Sequence, residues 1–382
     1  MYERENTLIS ETVLEKIASH AVRHDNENTF PHDDFELLSE NGYFKALVPL
    51  EFGGQGATIS EVARAQTELA MAAPATALAI NMHQIIVALG RHLVRSGRNE
   101  GEQILRGAVA GEIYGFGISE PGNDLVLFGS ITDAKPADKG GYRFSGTKIF
   151  TSMGPAWTKL LTFGRDSSNR DNIHNVFAII DRDPEHIEIK EDWDTLGMRA
   201  TQSFTTVLNE AYARPDQILG HVPSGPSGDP VVFGIFAYFE LLLAATYSGI
   251  GLRAIEVAVD TVKRRNSVKN NSAYATDPDI RWRIANGAIV MNSVLAELRD
   301  VAGDLEAGVN RGAKWMPQLS ALKNHATEAA RIAVDEAIRS AGGSSYYNTN
   351  ELARLYRDVL AGIFQPSDQE SLHAAWAHML LD

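Results

Sequence analysis

Val231 to Ala245 reads VVFGIFAYFELLLAA, fifteen residues in which Glu240 is the only charge. A membrane-spanning helix needs about 20 apolar residues and is penalised by a central carboxylate. The run also continues through TYSGIG into LRAIEVAVDTVKRR (Leu252 to Arg265). The stretch therefore predicts one long helix whose first half is buried inside protein, and it places a helical bundle at the C-terminal end of the chain.

Downstream of that helix, Ile284, Ala288, Met291, Leu295, Leu298, Ala302 and Leu305 step by four and three, as in a helix packed among antiparallel neighbours. Past Pro317, a further helix runs through Leu319, Leu322, Ala326, Ala329 and Ala333, whose small side chains permit close helix approach. Upstream, the linker His221 to Asp229 is rich in Pro, Gly and Ser. Before it, from Ile113 to about Leu219, come short β-rich runs broken by Gly, Pro and Asp: YGFGIS, GYRFSGTKIF, KLLTFG, NVFAIID, IEIKEDW and SFTTVLNEAYA. Up to Glu112 the apolar spacing is helical again, as in Ile9, Val13, Ile17 and Ala21, punctuated by Pro31, Pro49 and Gly53-Gly54. The predicted fold is mainly α with a central β domain. It comprises an N-terminal helical domain (1–112), a small β barrel or sandwich (113–220) and a C-terminal four-helix bundle (221–382). Pattern alone leaves open whether the three share a site.

The 49 acidic residues outnumber the 35 basic ones, for a net charge of −14, and no Lys/Arg run stands out. Nucleic acid is not an expected partner. The chain has no cysteine, which excludes disulfides, thiolate nucleophiles and cysteine metal sites, and fits a reducing compartment. The stretch from Met1 to Asp25 is charged and helical rather than apolar, so no signal peptide is expected there and a cytoplasmic location is.

Several segments, in order along the chain, resemble the acyl-CoA dehydrogenase family. ALVPLEFGGQG (Ala46 to Gly56) is similar to the family's Val-Pro-x-x-Phe/Tyr-Gly-Gly turn. ISEPG (Ile118 to Gly122), GYRFSGTKIFTS (Gly141 to Ser152) and LGMRATQS (Leu196 to Ser203) are similar to three successive signatures of its β domain. AGGSSYY (Ala341 to Tyr347) and LARLYRD (Leu352 to Asp358) resemble the Gly-Gly turn and the Arg-Asp element that precede its active-site loop. The resemblance implies FAD held between β domain and bundle in a homodimer or homotetramer, with the adenosine end reaching a neighbouring subunit. It also implies an acyl-CoA thioester as substrate, hence fatty-acid metabolism, and a separate electron acceptor.

An isoalloxazine ring needs hydrogen-bond donors at N1, O2 and N5, where electron density rises on reduction. By resemblance, Ile118 and Ser119 serve the N1/O2 side, while Phe150 covers the ring face and Ser152 meets N5. Read without it, Ser119 is a strand-end serine capping its own turn and Phe150 a core aromatic. Arg265 stands where the family carries an arginine for the FAD of the adjoining subunit, although the following Phe-Gly is missing. Arg339, before Gly342-Gly343, occupies the place of a Gln that meets the adenosine part; it pairs with phosphate or is a solvated helix residue. Asp368 takes the place of a loop Thr that touches flavin.

Removal of an α proton requires a carboxylate in apolar surroundings. The family's usual base is the Glu of a Tyr-Glu-Gly-Thr loop; here Ile363-Phe364-Gln365-Pro366-Ser367-Asp368 puts Pro366 in its place. A minority keeps the glutamate on the long helix. Counted back from Gly249, Glu240 falls one residue late, a rotation of about 100°, and Phe239 takes the nominal site. Glu240 is either the base or a core carboxylate paired with an Arg or Tyr; Glu370 is a second candidate base. Glu120-Pro121-Gly122-Asn123-Asp124 lacks the family's serine that assists the acyl-CoA moiety. Three functions follow: acyl-CoA dehydrogenation, flavin-dependent monooxygenation on the same fold, which requires no such base, or flavin binding without turnover.

Overall fold

A computed structural model describes residues 4–381, so Met1 to Glu3 of the predicted N-terminal helical stretch lie outside it. The N-terminal domain consists of α1 (Glu11–Glu27), α2 (His32–Glu40), α3 (Ile59–Ala72), α4 (Pro74–Arg95) and α5 (Glu102–Val109). Val13, Ile17 and Ala21 line the buried stripe of α1. Helix α3 begins at a capping box: the Glu61 N–H donates to Thr58 Oγ1 (3.2 Å) and the Thr58 N–H to Glu61 Oε2 (2.7 Å).

The β domain is a single sheet of eight strands: β1 (Tyr114–Gly117), β2 (Asp133–Pro136), β3 (Tyr142–Thr151), β4 (Lys159–Asp166), β5 (His174–Asp181), β6 (Ile187–Lys190), β7 (Phe204–Ala213) and β8 (Ile218–Pro223). Its order is β6-β7-β3-β2-β4-β5-β8, and β1 pairs in parallel with β4, Tyr114 opposite Lys159. Alternation along β4 and β5 is weak because both of their faces are buried.

The chain then enters α6 (Pro230–Arg264), capped by Asp229, whose side chain accepts from the Val231 N–H (2.8 Å). A short hairpin, β9 (Asn266–Ser267) and β10 (Ser272–Ala273), precedes α7 (Pro278–Ala307) and α8 (Trp315–Ala341). The shorter α9 (Glu351–Val359), α10 (Ala361–Phe364) and α11 (Gln369–Leu381) complete the C-terminal part. Helices α4 and α6 are long and apolar enough to cross a membrane, but 83% of each such window is buried against protein. Their apolar character is that of core helices. At Gly249 a Cβ would lie 2.3 Å from the Thr67 carbonyl, so only glycine lets α6 approach α3 this closely. The seam of α7 differs from its predicted spacing: Gly287, Met291, Val294, Leu298, Val301, Ala302 and Leu305 are buried, whereas Ala288 is exposed. Crossing partners, rather than heptad spacing, select the inward face.

Between β1 and β3 lies a buried ion pair. Lys148 Nζ donates to Glu120 Oε1 at 2.6 Å, and both side chains are 0% exposed. The carboxylate also accepts from Ser130 Oγ (2.6 Å), the Thr132 N–H (3.1 Å), Asn123 Nδ2 (2.6 Å) and the Ile131 N–H (2.9 Å). Lys148 donates in addition to the Phe163 carbonyl (2.8 Å) and lies 4.5 Å from the centre of the Phe163 ring. Burial alone would raise the Glu120 carboxyl, but the Lys148 ammonium and the hydrogen bonds of Lys148, Ser130 and Thr132 outweigh it and hold it at about 2. Removing one partner leaves an uncompensated buried charge. Lys148→Met is expected to lower unfolding stability by about 3–5 kcal/mol, and the double variant Glu120→Gln/Lys148→Met by clearly less. Urea unfolding measures both; a single-variant loss below about 1 kcal/mol would contradict this assignment.

Candidate functional site

Two loops of the β domain, 118–122 and 196–203, come together at the end of β3, and the second of them reaches α9 of the bundle. At the exit of β1, Ile118 is buried and Ser119 half-buried. The Ser119 carbonyl accepts from the Ile149 N–H (2.9 Å), while its hydroxyl has no partner among the described residues. Ser119 therefore does not cap its own turn. Phe150, at the end of β3, is 60% exposed, with the edge of Trp193 against it at 6.2 Å between ring centres. It is not a core aromatic.

Backbone strain is concentrated at this place. Phe150 (φ 58°), Met153 (φ 63°), Met198 (φ 53°) and Gln202 (φ 44°) all adopt the left-handed region without being glycine. Each such residue costs on the order of 1–3 kcal/mol and persists only where its surroundings dictate it, most often at functional sites. Here the two strained segments hold each other: the Met153 N–H donates to the Thr201 carbonyl (2.9 Å) and the Gly154 N–H to that of Gln202 (3.0 Å). Ser152 and Ser203 hydroxyls lie 2.8 Å apart, and Ser203 and Thr201 hydroxyls 2.7 Å apart.

The 196–203 loop docks on α9. A Cβ on Gly197 would fall 2.3 Å from the Arg357 carbonyl, so the backbones touch there. The Met198 N–H donates to Asp358 Oδ1 (2.6 Å), and Arg357 donates to the Leu196 carbonyl (2.9 Å) while pairing with both carboxylate oxygens of Asp25 on α1. Burial pushes the Asp358 carboxyl up to about 6, against the pull of the Met198 N–H and Arg354. All three domains meet at this junction.

On the bundle side, Phe239 stacks on Phe116 of β1 at 5.4 Å and 18°. Glu240, one residue on, is fully buried and turns to the 362–368 loop. Its Oε1 accepts from the Ser367 N–H (2.9 Å) and Oγ (2.7 Å), while Oε2 has no partner among the described residues. Its hydrogen-bond partner is thus Ser367 and not the Arg or Tyr that a paired core carboxylate would have had. Lys323 of α8 brackets the same loop, donating to the carbonyls of Gly362 (2.8 Å), Ser367 (2.9 Å) and Gln365. Burial pushes Glu240 up to about 7, while the Ser367 hydrogen bonds and the Lys323 charge pull the other way.

Other candidates fall into separate groups. Arg265 donates to the Ala341 carbonyl and lies 5.1 Å from the Tyr274 ring centre; a Cβ on Gly342 would come 3.4 Å from its Nη1, so Arg265 and the Gly342-Gly343 turn are together. Arg339 pairs with Asp335 one turn back (2.7 Å) on the exposed side of α8. Asp368 accepts from the Ser371 N–H (2.8 Å) and caps α11, in whose first turn Glu370 stands exposed. Lys148, Lys323, Asp358, Thr201 and Ser203 were not singled out in the sequence. The first two had a signal: each lies in register with apolar positions of its own strand or helix. A free Ser119 hydroxyl, an exposed Phe150 ring and the Ser152 oxygen form a polar and aromatic surface that suits a planar isoalloxazine.

Residues 6–112 match the acyl-CoA dehydrogenase N-terminal domain and residues 227–364 the acyl-CoA dehydrogenase C-terminal domain. The chain belongs to the acyl-CoA dehydrogenase family, a family of flavin-dependent oxidoreductases. Among its curated relatives, it is similar to the L-evernosamine nitrososynthase of a Micromonospora species, 28% identical over 362 residues covering 92% of this chain and 84% of the relative. It is likewise similar to the putative acyl-CoA dehydrogenase YdbM of Bacillus subtilis, 27% identical over 369 residues covering 93% and 91%. Of solved structures, KijD3 in complex with FMN and dTDP-3-amino-2,3,6-trideoxy-4-keto-3-methyl-D-glucose superposes with a TM-score of 0.86 at 28% identity, covering 97% of this chain and 91% of that one.

Glu240 generates a pH dependence with a definite sign. Its folded value lies above the ordinary 4.5, at about 7, so its contribution to stability is full below about 4.5 and is lost as pH rises through about 7. Relative to Glu240→Gln, the wild type should lose stability between pH 5 and pH 8. Urea midpoints of the two proteins measure this, and a constant difference across that range would exclude a raised Glu240.

Proposed function

We propose that this chain is a flavin-dependent monooxygenase that uses FMN and oxygenates the amine of a nucleotide-linked amino sugar. The carrying observation is the face of α6 that looks toward β1. It presents Phe239, stacked on Phe116, while the neighbouring Glu240 is tied to Ser367 inside the bundle. With Pro366 in the loop position, neither of the family's places for a proton-abstracting carboxylate holds one facing the β domain. Oxygenation by reduced flavin has no need of such a base.

In this reading Ile118 and Ser119 would hold the pyrimidine edge of the flavin, Phe150 would cover its face and Ser152 would meet N5. Arg265 is engaged by the Ala341 carbonyl and the Tyr274 ring, and Arg339 by Asp335. The FMN bound by KijD3 supports FMN over the FAD expected from the sequence. Reduced flavin supplies two electrons and two protons to O2: one oxygen atom enters an N–H bond of the amine, giving a hydroxylamine, and the other leaves as water. This chemistry requires a separate donor of the reduced flavin. The relatives named for amino-sugar nitrososynthases, and KijD3 with its bound dTDP-amino sugar, support this substrate class over an acyl chain of fatty-acid metabolism.

Acyl-CoA dehydrogenation with Glu240 as base is the second reading, favoured by the unpartnered Oε2 and the raised carboxyl. One pair of experiments separates the two. Protein with chemically reduced FMN, exposed to O2 and a panel of dTDP-amino sugars, should yield a product heavier by one oxygen atom in mass spectrometry. Anaerobic mixing of oxidised holoprotein with acyl-CoAs should leave flavin absorbance unchanged; bleaching there, without oxygenated sugar product, would establish the dehydrogenase instead. FMN should bind at least about tenfold more tightly than FAD, the equivalent of one ion pair or hydrogen bond forgone at the second phosphate.

A further inference from the structure

The hydroxyls of Ser152, Ser203 and Thr201 form an unbroken chain with a fixed direction. Thr201 Oγ1 lies 2.8 Å from the Met198 carbonyl oxygen, a separation at which two oxygens repel unless a proton stands between them. A carbonyl has none to give, so the Thr201 proton lies there. Thr201 Oγ1 is then an acceptor at its 2.7 Å contact, and Ser203 must be the donor. With its single proton committed, Ser203 can only accept at the 2.8 Å contact with Ser152. Ser152 donates to Ser203, and only its oxygen lone pairs are free for anything bound beside it. All three side chains are buried, so water does not compete for these protons. The terminus is held rigidly: Met198, whose carbonyl anchors the chain, has its own N–H on Asp358 Oδ1 at 2.6 Å.

We infer that Ser152 is an obligate hydrogen-bond acceptor toward the flavin, polarised by Ser203 and Thr201, and that it selects the reduced cofactor. This rests on the proposed placement of N5 beside Ser152. N5 of oxidised flavin is an acceptor and meets lone pairs facing lone pairs; N5 of reduced flavin carries a hydrogen and finds the acceptor it needs. Ser152 touches the cofactor, whereas Ser203 and Thr201 act through it as positioning residues. An oxygenase that takes up flavin already reduced elsewhere gains from this preference.

The test is the two-electron midpoint potential of the FMN-loaded protein, measured by dye equilibration, with the affinities of oxidised and reduced FMN as a second readout. Ser203→Ala removes the acceptor for the Ser152 proton, and Thr201→Val lets the Ser203 proton turn back toward Ser152. Either change frees Ser152 to donate to oxidised N5. Both should lower the ratio of reduced to oxidised FMN affinity by about tenfold, the size of one hydrogen bond, which is a potential about 30 mV more negative. Thr201→Ser retains the hydroxyl and should keep the wild-type potential, a rescue that a merely structural effect would not produce. If one variant does not fold, the other reads the same chain from its other link. A potential unmoved or raised in folded, FMN-binding variants would overturn the inference and leave the monooxygenase reading standing. Failure of the wild type to bind flavin would overturn both.

Discussion

The arrangement of the candidate site depends on one buried charge pair, Glu120 with Lys148. A buried ion pair contributes little net stability, because desolvating two charges offsets most of their attraction. Its contribution here is positional. Five donors converge on the Glu120 carboxylate from the loop after β1 and from β3, and Lys148 adds the Phe163 carbonyl of β4. Ser119 immediately precedes Glu120, and Ile149 and Phe150 immediately follow Lys148. The distance between the two strand ends that face the proposed cofactor is therefore set by an interaction that cannot slip a residue without leaving a bare charge in the interior.

A second polar junction holds the β domain against the helices. Asp25 of α1, Leu196 and Met198 of the β domain, and Arg357 and Asp358 of α9 exchange hydrogen bonds within a few residues. Strain in Met198 and Gln202 is sustainable because this junction fixes the loop from outside, while Ser152, Met153 and Gly154 fix it from within. The left-handed residues are thus a consequence of docking between domains and have no signal in any single segment.

Much of the architecture was legible because it rests on periodicity. The switch from helical spacing to short β runs and back marks the three layers, and the single charge in VVFGIFAYFELLLAA distinguishes a core helix from a membrane span. Signals from the local chain also place Lys148 inside, since Phe144, Gly146 and Lys148 alternate on one face of β3. Partners are another matter. That Lys148 meets Glu120, that Arg265 caps the Ala341 carbonyl, and that Phe150 is exposed all depend on segments far apart in sequence. Directional hydrogen bonding from Ser152 to Thr201 is illegible for the same reason: it exists only once β3 and the 196–203 loop have met.

Glu240 shows how a shift of one residue changes the role of a side chain. On a helix that shift is about 100° of rotation, enough to carry a carboxylate from the face that meets β1 to the face that meets α8 and the last loop. In its present place it has a structural rationale independent of chemistry. Lys323, buried in α8, donates to three carbonyls of the 362–368 loop, and carbonyl dipoles do not neutralise an ammonium. The Glu240 carboxyl accepts from the same Ser367, and the Lys323 charge tempers the rise that burial imposes on it. A loop whose usual glutamate is replaced by Pro366 is thereby held by hydrogen bonds from Lys323 on one side and to the Glu240 carboxyl on the other. Phe239 is then left free to stack on Phe116, which makes the face of α6 toward β1 apolar at the position where a dehydrogenase would need a base.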